Sequence, residues 1–409
     1  MELSMVAIDK DRSGARPQPS LGESLLTVAG IYGPNASGKS NVVSAMAWLV
    51  EAIYSSMRSW DDAIPVDQFG FGASRDGPTR FECDLITNNV RFMYLLELDA
   101  EHVLYEALFE YPKKRQRRVF ERDGDNLLVQ RGLSGLAIGK LLTQRTLVMS
   151  LARRLEMEHI GTVAKEVLKI QAFRPSPGFN PLLRLRRSQG DRGFRNADNP
   201  WLTMGWFDDS DHCDDDESPR AQALALLRLA DLGIEDVVVK NEVTRDDSGE
   251  VVRRRKRLSL LHRTTDELQP LDFEEESAGT QAWFGLIGPT IQALRSGGTM
   301  VVDELDARLH PVLSAELLRL FHSPAANPRN AQLLFTAHDT SLLAHLNRDE
   351  IWLTEKQPDG STCLRALADF AGERVRKSQN LEAGYLNGRF GAVPRISESE
   401  FYRTLGVIG

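Results

Sequence analysis

The stretch VAGIYGPNASGKSN, residues 28–41, decides the fold class of this sequence. Residues 33–40 within it match the pattern G-x-x-x-x-G-K-[ST]. The apolar residues 25–32 predict a buried strand before the motif, and residues 41–57 have apolar side chains at helical spacing after it. Glycines let such a loop curl so that successive N–H groups face phosphate oxygens, and the positive end of the following helix points at them. The pattern therefore predicts a phosphate-binding loop, with an ordinary strand–helix turn as the alternative.

Two residues of this loop have distinct expected roles. Lys39 is expected to bring a positive charge to the β- and γ-phosphates of ATP, and Ser40 to offer its hydroxyl to Mg²⁺. ATP and Mg²⁺ are therefore the expected cofactors. The predicted nucleotide contacts in the loop are Gly33, Pro34, Asn35, Ala36, Ser37, Gly38, Lys39, Ser40 and Asn41.

A second motif, TMVVDE at residues 299–304, is an apolar strand that ends in two carboxylates. Asp303 can reach Mg²⁺ from such a position, and Glu304 can polarise the attacking water as a general base. His338 follows the next apolar strand, at the carboxyl end where ligands gather in parallel sheets, and is expected to sense the γ-phosphate. Strand-terminal acids and single histidines are also common structural features, so these assignments depend on the phosphate loop. The expected catalytic residues are Glu304, His338 and Lys39.

The rest of the chain predicts an α/β fold. From about residue 271 strands and helices alternate, which indicates a mainly parallel sheet. Residues 78–130 alternate polar and apolar side chains, which predicts antiparallel hairpins, and residues 235–262 predict another strand pair. Apolar residues at helical spacing predict helices at residues 134–170 and 219–232. Residues 171–218 between them are rich in Gly, Pro, Arg and Asp, which predicts a loop.

A length of 409 residues suggests two lobes or one core with a large insertion. The phosphate-loop unit and the β/α block are expected to share one sheet, with hairpins and helices inserted between them. The predicted parts are residues 1–77 (first part of the core), 78–270 (the insertion), 271–370 (second part of the core) and 371–409 (a C-terminal segment).

Composition narrows the class of protein. The net charge of −8 does not demand nucleic acid, and no apolar run is long enough to span a bilayer. The three cysteines, Cys83, Cys213 and Cys363, form neither a zinc pattern nor a disulfide framework. We therefore expect a cytoplasmic protein without a membrane partner.

Taken together, the motifs resemble those of ABC-type ATPases of the SMC and RecF kind. ESAGTQ, residues 276–281, is similar to their signature motif, and residues 305–307 are similar to their D-loop. His338 takes the position of their switch histidine. The resemblance implies an ABC-type core and a homodimer or higher homo-oligomer, in which the signature closes over ATP bound to a partner chain. The additional contacts that it implies are Ser277, Gly279, Gln281 and Asp306. Taken alone, SAGTQ also fits a helix N-cap followed by glycine.

A narrower resemblance covers most of the chain. YGPNASGKSN, DELDARLHP, FTAHDTSLL, IWLTEK and NLEAGYLNGRFGAVP are similar to segments of a bacterial AAA-labelled, ABC-type family. Its members often serve anti-phage or abortive-infection systems and are commonly paired with a separate toprim-type nuclease. The resemblance implies a sensor or regulatory ATPase that controls such an effector. Family members usually have a further strand before the segment equivalent to residues 2–7, with which this sequence starts, so the resemblance leaves the adenine-side contacts unassigned. Gln68 is the nearest candidate for a Q-loop residue, with a plain surface glutamine as the alternative.

Two other functions compete with this interpretation. One is a RecF- or SMC-like ATPase for DNA repair or chromosome maintenance that acts on DNA directly. The other is a scaffold in which ATP is structural and turnover incidental; a complete acidic pair, Asp303 and Glu304, argues against it.

Two basic runs, a C-terminal segment and an acidic stretch can each be interpreted as functional or as structural. The basic runs Lys113–Arg118 and Arg253–Arg257 could contact nucleic-acid phosphates or be solvated hairpin ends. Residues 380–392 could bind a partner or cover the sheet. The acidic stretch 208–217 predicts a solvated loop rather than a metal site.

Overall fold

The computed structural model describes residues 1–8, 14–71, 77–130, 139–173, 200–208, 218–245, 251–265, 267–369, 381–392 and 403. Its strands are β1 Ala15–Gln18, β2 Glu23–Leu26, β3 Val28–Tyr32, β4 Thr79–Thr87, β5 Val90–Leu98, β6 Val103–Glu110, β7 Arg117–Asp123, β8 Asn126–Val129, β9 Gln171–Phe173, β10 Ile234–Arg245, β11 Val251–Arg263, β12 Leu268–Asp272, β13 Thr299–Val302, β14 Gln332–Thr336, β15 Ile351–Lys356 and β16 Thr362–Ala366. Its α-helices are α1 Lys39–Ser59, α2 Val148–Arg154, α3 Glu158–Val167, α4 Pro200–Asp208, α5 Pro219–Ala230, α6 Ala278–Ser296, α7 Pro311–His322 and α8 Leu381–Leu386.

The core is a six-stranded sheet in the order β16-β15-β3-β14-β13-β9. β15, β3, β14, β13 and β9 are parallel, and β16 closes one edge antiparallel to β15. β3 is buried along its whole length, as expected of a central parallel strand covered on both faces. The predicted α/β fold with a mainly parallel sheet is confirmed.

Helices cover both faces of this sheet. Val28 of β3 and Val302 of β13 pack into a core with α6 and α7, whereas Ala29 of β3 and Val301 of β13 pack with Val43 of α1 on the other face. Successive strand residues point to opposite faces, so each strand contributes to both layers. Because the five strands are parallel, their carboxyl ends lie along the same edge of the sheet, and the loops that lead to the covering helices begin there.

A second, antiparallel sheet has the order β4-β5-β6-β7-β8, and the predicted hairpins in this region are confirmed. Its apolar face packs against α2, α3 and Leu49, Ala52 and Ile53 of α1. The hairpin sheet and the phosphate-loop helix thus share one core. The prediction of one helical region over 134–170 is only partly right: helix α2 begins at Val148, and Glu156, with a φ of 52°, separates it from α3.

Two other local predictions are wrong. Residues 25–32 are not one strand, because the chain leaves the β1–β2 hairpin at Leu26 and enters the parallel sheet at Val28. Thr27 lies between the two sheets and is bonded to both sides: its hydroxyl donates to Gly14 O next to β1, and its carbonyl accepts from Leu333 N of β14. The supposed loop 171–218 begins with strand β9 and contains α4, and β9 pairs with β13 in the core sheet.

The strands predicted within 235–262 are confirmed as β10 and β11, which form a three-stranded sheet with β12. Their turn, 246–250, lies outside the described residues, as does most of the acidic stretch at 209–217. Phe173, Leu227 and Ile234 share a core with the face of the parallel sheet that carries α6. The four-part division of the chain remains a prediction.

Candidate phosphate-binding and hydrolysis site

The loop GPNASGKS joins β3 to α1 at the carboxyl edge of the core sheet. Gly33 and Gly38 have φ values of 153° and 99°, and Ala36 has a φ of 60°. A Cβ on Gly33 would lie 2.6 Å from Thr354 O, so a side chain cannot fit between the loop and β15. Gly38 is the N-cap of α1 and supplies no side-chain cap, which leaves the first N–H groups of the helix available to an anion.

A hairpin outside the motif holds this loop. Ser37 Oγ is 2.6 Å from Thr354 Oγ1 of β15, and Thr362 Oγ1 of β16 donates to Ser37 O at 2.9 Å. Thr354 Oγ1 also donates to Tyr32 O. The sequence interpretation missed both threonines, since no spacing rule links them to a loop more than 300 residues away.

Lys39 lies curled inside the loop. Its ammonium donates to Gly33 O at 2.8 Å and to Pro34 O at 3.1 Å. Burial lowers the pKa of Lys39, while the charges of Glu304 and Asp303 act in the opposite direction. A phosphate group in the cradle would offer this amine a stronger acceptor than the two carbonyls.

Asp303 follows β13 and lies beside the loop. Its Oδ1 accepts hydrogen bonds from Ser40 Oγ at 3.0 Å and from Thr336 Oγ1 at 2.7 Å, and the residue is 3% exposed. A hydroxyl and a carboxylate with substrate phosphates are a typical protein ligand set for Mg²⁺. The described residues contain no cluster of three or more His, Cys, Asp or Glu that could hold a metal without a substrate. Ser40 and Asp303 therefore fit the expected ion.

Glu304 is exposed at the mouth of the same cleft, with a left-handed φ of 53°. His338 is also exposed and lines this cleft, together with the loop residues Asn35 to Asn41. The structure thus brings the predicted base and the predicted sensor to the edge that carries the phosphate loop. The arrangement can place a carboxylate and an imidazole at one terminal phosphate.

Asp306, which follows β13, is hydrogen-bonded to the segment that follows β14. Its Oδ2 accepts from the backbone N–H groups of His338 at 2.9 Å and Asp339 at 2.6 Å. The other oxygen, Oδ1, is buried and has no hydrogen-bond partner among the described residues. Asp306 therefore fixes the backbone at His338 in this chain.

The segment 276–281 lies beside the chain that follows Asp306, where a Cβ on Gly279 would be 3.4 Å from Arg308 O. Ser277 is the N-cap of α6, with its Oγ accepting from Thr280 N at 3.1 Å. The Gln281 amide donates to Phe273 O and Glu276 O, both at 3.0 Å. Ser277, Gly279 and Gln281 are not among the described residues that line the cleft of the phosphate loop. The local structure is that of a capped helix, and Ser277 is exposed.

Three further sequence features have clear places. Gln68 is exposed on the rim of the cleft. Tyr385 and Phe390 are buried in the core shared with the sheet, and Ala392 N donates to Glu355 Oε1 of β15. Within 381–392, the described part of the segment, the chain therefore covers the sheet.

The two basic runs differ in their surroundings. Lys113, Lys114 and Arg115 are exposed and make no ion pair with any carboxylate that the structure describes, whereas Arg117 and Arg118 contact Glu110 and Glu121. In the second run, the described side chains of Lys256 and Arg257 pair with Asp208 and Asp272. Among the described charged side chains of the two runs, those without a carboxylate partner are therefore Lys113, Lys114 and Arg115.

Comparison with known proteins supports a family assignment. A family model described as "AAA domain, putative AbiEii toxin, Type IV TA system" matches residues 28–131 and 170–344, more than half of the chain. A search of curated proteins finds no match. No helix in the described part of the chain is long and apolar enough to cross a membrane.

Solved structures similar to this chain include SMC head domains. The SMC head domain from Thermotoga maritima is 14% identical, with a TM-score of 0.37, and the match covers 90% of this chain and 99% of that one. An SMC head bound to the C-winged helix domain of ScpA is 14% identical, with a TM-score of 0.35 and coverage of 85% and 94%.

Proposed function

This chain belongs to the AAA-domain family of the putative AbiEii toxin type, and we propose that it is an ATP-hydrolysing, ABC-type ATPase that dimerises over ATP. Its proposed role is that of the sensor or regulator of an anti-phage defence system, where it controls a separate effector nuclease. The family supports a P-loop ATPase.

One observation carries the hydrolysis proposal: Ser40 of the phosphate loop donates to Asp303, and Glu304 follows at the cleft that the loop lines. Lys39 and Ser40 would hold the phosphates and Mg²⁺, with Asp303 as the second protein ligand. The ion, when bound, neutralises charge on the phosphates. Glu304 would accept a proton from the attacking water, and His338 would contact the terminal phosphate.

Turnover of variants tests this assignment. We expect Glu304→Gln to lower the rate of ATP hydrolysis at least about 100-fold while ATP still binds, because an amide cannot accept the proton of water. Glu316→Gln, on the solvent side of α7, is the matched control and should hydrolyse ATP at the wild-type rate. Wild-type turnover by Glu304→Gln would show that another residue is the base.

The dimer proposal rests on the position of residues 276–281. Ser277 presents a hydroxyl and the N-terminus of the 19-residue helix α6 on the surface, and it is not among the described residues that line the cleft of its own loop. A helix N-terminus favours negative charge, so a partner chain's γ-phosphate is a suitable ligand. Light scattering should detect a dimer of Glu304→Gln with Mg-ATP and a monomer without nucleotide. A monomer in both conditions would contradict the proposal.

Defence and a nuclease partner rest on the sequence resemblance to defence-associated ATPases, and the matched family is described as a putative toxin of a Type IV TA system. The test expresses the chain with its native neighbouring genes and measures phage plaques. We expect the wild type to reduce plaque number and Lys39→Ala to lose this effect, with a nuclease co-purifying with Glu304→Gln. Protection by Lys39→Ala equal to that of the wild type would show that defence does not require the ATP site. Purification of Glu304→Gln without a nuclease would contradict the proposed effector.

A second function, direct contact with nucleic-acid phosphates, is favoured by Lys113, Lys114 and Arg115, which are exposed and have no carboxylate partner among the described residues. Lys113 and Lys114 have left-handed φ values of 53° and 64°, in a turn where Asn and Gly are the usual residues. The variant Lys113→Asn, Lys114→Gly, Arg115→Ser keeps the turn and removes three charges.

Binding of duplex DNA or RNA measured against salt tests this contact. The variant should bind more weakly and lower the slope of log affinity against log salt by about 2 to 3. The control removes three exposed charges elsewhere, at Lys140, Arg154 and Lys165. An equal effect of both variants would indicate net charge alone, and unchanged binding would exclude the surface. ATP turnover near zero with a stable oligomer would instead favour the ATP-bound scaffold.

A further inference from the structure

Thr336, the last residue of β14, makes three hydrogen bonds to the end of β13. Its hydroxyl donates to Asp303 Oδ1 at 2.7 Å and accepts from Glu304 N at 2.7 Å. Its carbonyl accepts from Leu305 N at 2.9 Å. The residue is fully buried and does not line the cleft. One side chain therefore contacts both acidic residues of the proposed site without reaching the nucleotide cleft.

The backbone that Thr336 holds has an uncommon conformation. Glu304 has a φ of 53°, a region that side chains other than those of Gly, Asn and Asp rarely adopt. Such a conformation persists when the surrounding structure determines it, and it is concentrated at functional sites. Here the two successive N–H groups of Glu304 and Leu305 both donate to Thr336. On the other side, Asp303 N donates to Phe173 O of β9 at 2.8 Å.

The direction of each hydrogen bond is determined by the donors available. A backbone N–H can only donate, so the Thr336 hydroxyl accepts from Glu304 and gives its single proton to Asp303. Ser40 Oγ donates to the same carboxylate oxygen at 3.0 Å. A continuous chain of bonds thus joins the Glu304 backbone to Asp303 and to the phosphate loop, and it passes through one hydroxyl.

We infer that Thr336 is a positioning residue that sets the location of the Glu304 carboxylate relative to Asp303. This inference rests on the proposed hydrolysis function. A valine in its place would keep the shape but offer Glu304 N no acceptor and Asp303 one donor fewer. The backbone at Glu304 would then relax from its left-handed conformation and move the carboxylate. Nucleotide binding depends mainly on the phosphate loop, which Thr336 does not contact directly, and Asp303 keeps its hydrogen bond from Ser40 of that loop in the variant.

The test compares Thr336→Val with Thr336→Ser and with a matched control, Thr290→Val. Thr290 is also buried, and its hydroxyl donates to Leu286 O within α6. Both valine variants lose one buried hydroxyl, so a general effect on stability should appear in both. The quantities measured are kcat and KM for Mg-ATP, the Kd of ATP, and the melting temperature.

We expect Thr336→Val to lower kcat about 10- to 100-fold, the loss typical of a misplaced catalytic group, with Kd and KM within about twofold of wild type. Thr336→Ser should restore most of kcat, and Thr290→Val should keep it. Wild-type kcat in Thr336→Val, equal loss in both valine variants, or failure of serine to restore kcat would overturn the inference. Wild-type protein without ATP turnover would overturn the proposed function itself, a result distinct from these three.

Discussion

Ser40 Oγ donates to Asp303 Oδ1 across 3.0 Å, although the two residues are 263 positions apart in the chain. The contact joins the first turn of α1 to the end of β13, and Thr336 supports it from behind. The structure therefore brings together the predicted Mg²⁺ ligands at the carboxyl edge of the sheet, where the phosphate loop also lies.

Glycine at position 33 should be indispensable. Gly33→Ala would place a Cβ 2.6 Å from Thr354 O at a φ of 153°, so the loop or β15 must shift. We expect ATP affinity to fall at least about 10-fold, measured by titration calorimetry, because loop N–H groups would no longer converge on the phosphates. Gly285→Ala is the control: a Cβ there meets no atom within 4 Å, and it should stabilise α6 by about 0.5–1 kcal/mol. Unchanged ATP affinity in Gly33→Ala would contradict this account of the loop.

ATP binding should depend on pH through Lys39. Burial lowers the pKa of Lys39 from its usual 10.5, so the free site releases the proton at a lower pH than an exposed lysine. Bound phosphate favours the charged amine, so binding takes up a proton and affinity falls as pH rises through the lowered pKa. In the absence of ATP the unfolded chain binds more protons in this window, so this group's contribution to stability rises with pH.

Calorimetry of ATP binding in two buffers of different ionisation enthalpy measures this proton uptake. Lys39→Arg retains a charge that does not titrate in this range, and should bind ATP without the uptake. Equal uptake by the wild type and Lys39→Arg would assign the proton to another group.

Arg122 should be a main determinant of stability in the hairpin sheet. The residue is 1% exposed, and its guanidinium donates to the carbonyls of Gly124, Thr143 and Thr146 at 2.7–2.8 Å. Arg122→Met removes these donors from buried acceptors, which should lower the free energy of unfolding by about 3 kcal/mol. Urea denaturation measures the change. Arg80→Met, exposed on β4 of the same sheet, should change it by less than about 0.5 kcal/mol; similar losses in both would show that burial does not decide the effect.

Much of the fold could be predicted because its elements have local signals. The motif residues around Lys39 have a fixed spacing, and polar and apolar side chains alternate in the hairpins of 78–130. From residue 271 onward, apolar side chains follow the period of a strand in some segments and that of a helix in others. The sequence also located Ser40, Asp303, Glu304 and His338, which the structure places at one edge.

The errors and omissions involve contacts distant in sequence. The apolar run 25–32 contains no turn signal at Thr27, where the chain passes from the β1–β2 hairpin to the parallel sheet. Strand β9 has only three residues, too few for a period, and its pairing with β13 defines it. Thr336, Thr354 and Thr362 support the site through hydrogen bonds, and threonine at a strand end has no distinctive pattern.

In the proposed dimer, two chains complete each other's ATP sites. Lys39→Ala removes the phosphate loop's charge, and Ser277→Arg blocks the surface that would contact a partner's γ-phosphate. In a mixed dimer one site carries both defects and the other carries none. ATP hydrolysis by an equimolar mixture is therefore the most direct test. We predict that neither variant hydrolyses ATP alone and that the mixture recovers a substantial fraction of wild-type turnover. Wild-type turnover by Ser277→Arg alone, or a mixture no more active than its two components, would contradict the account.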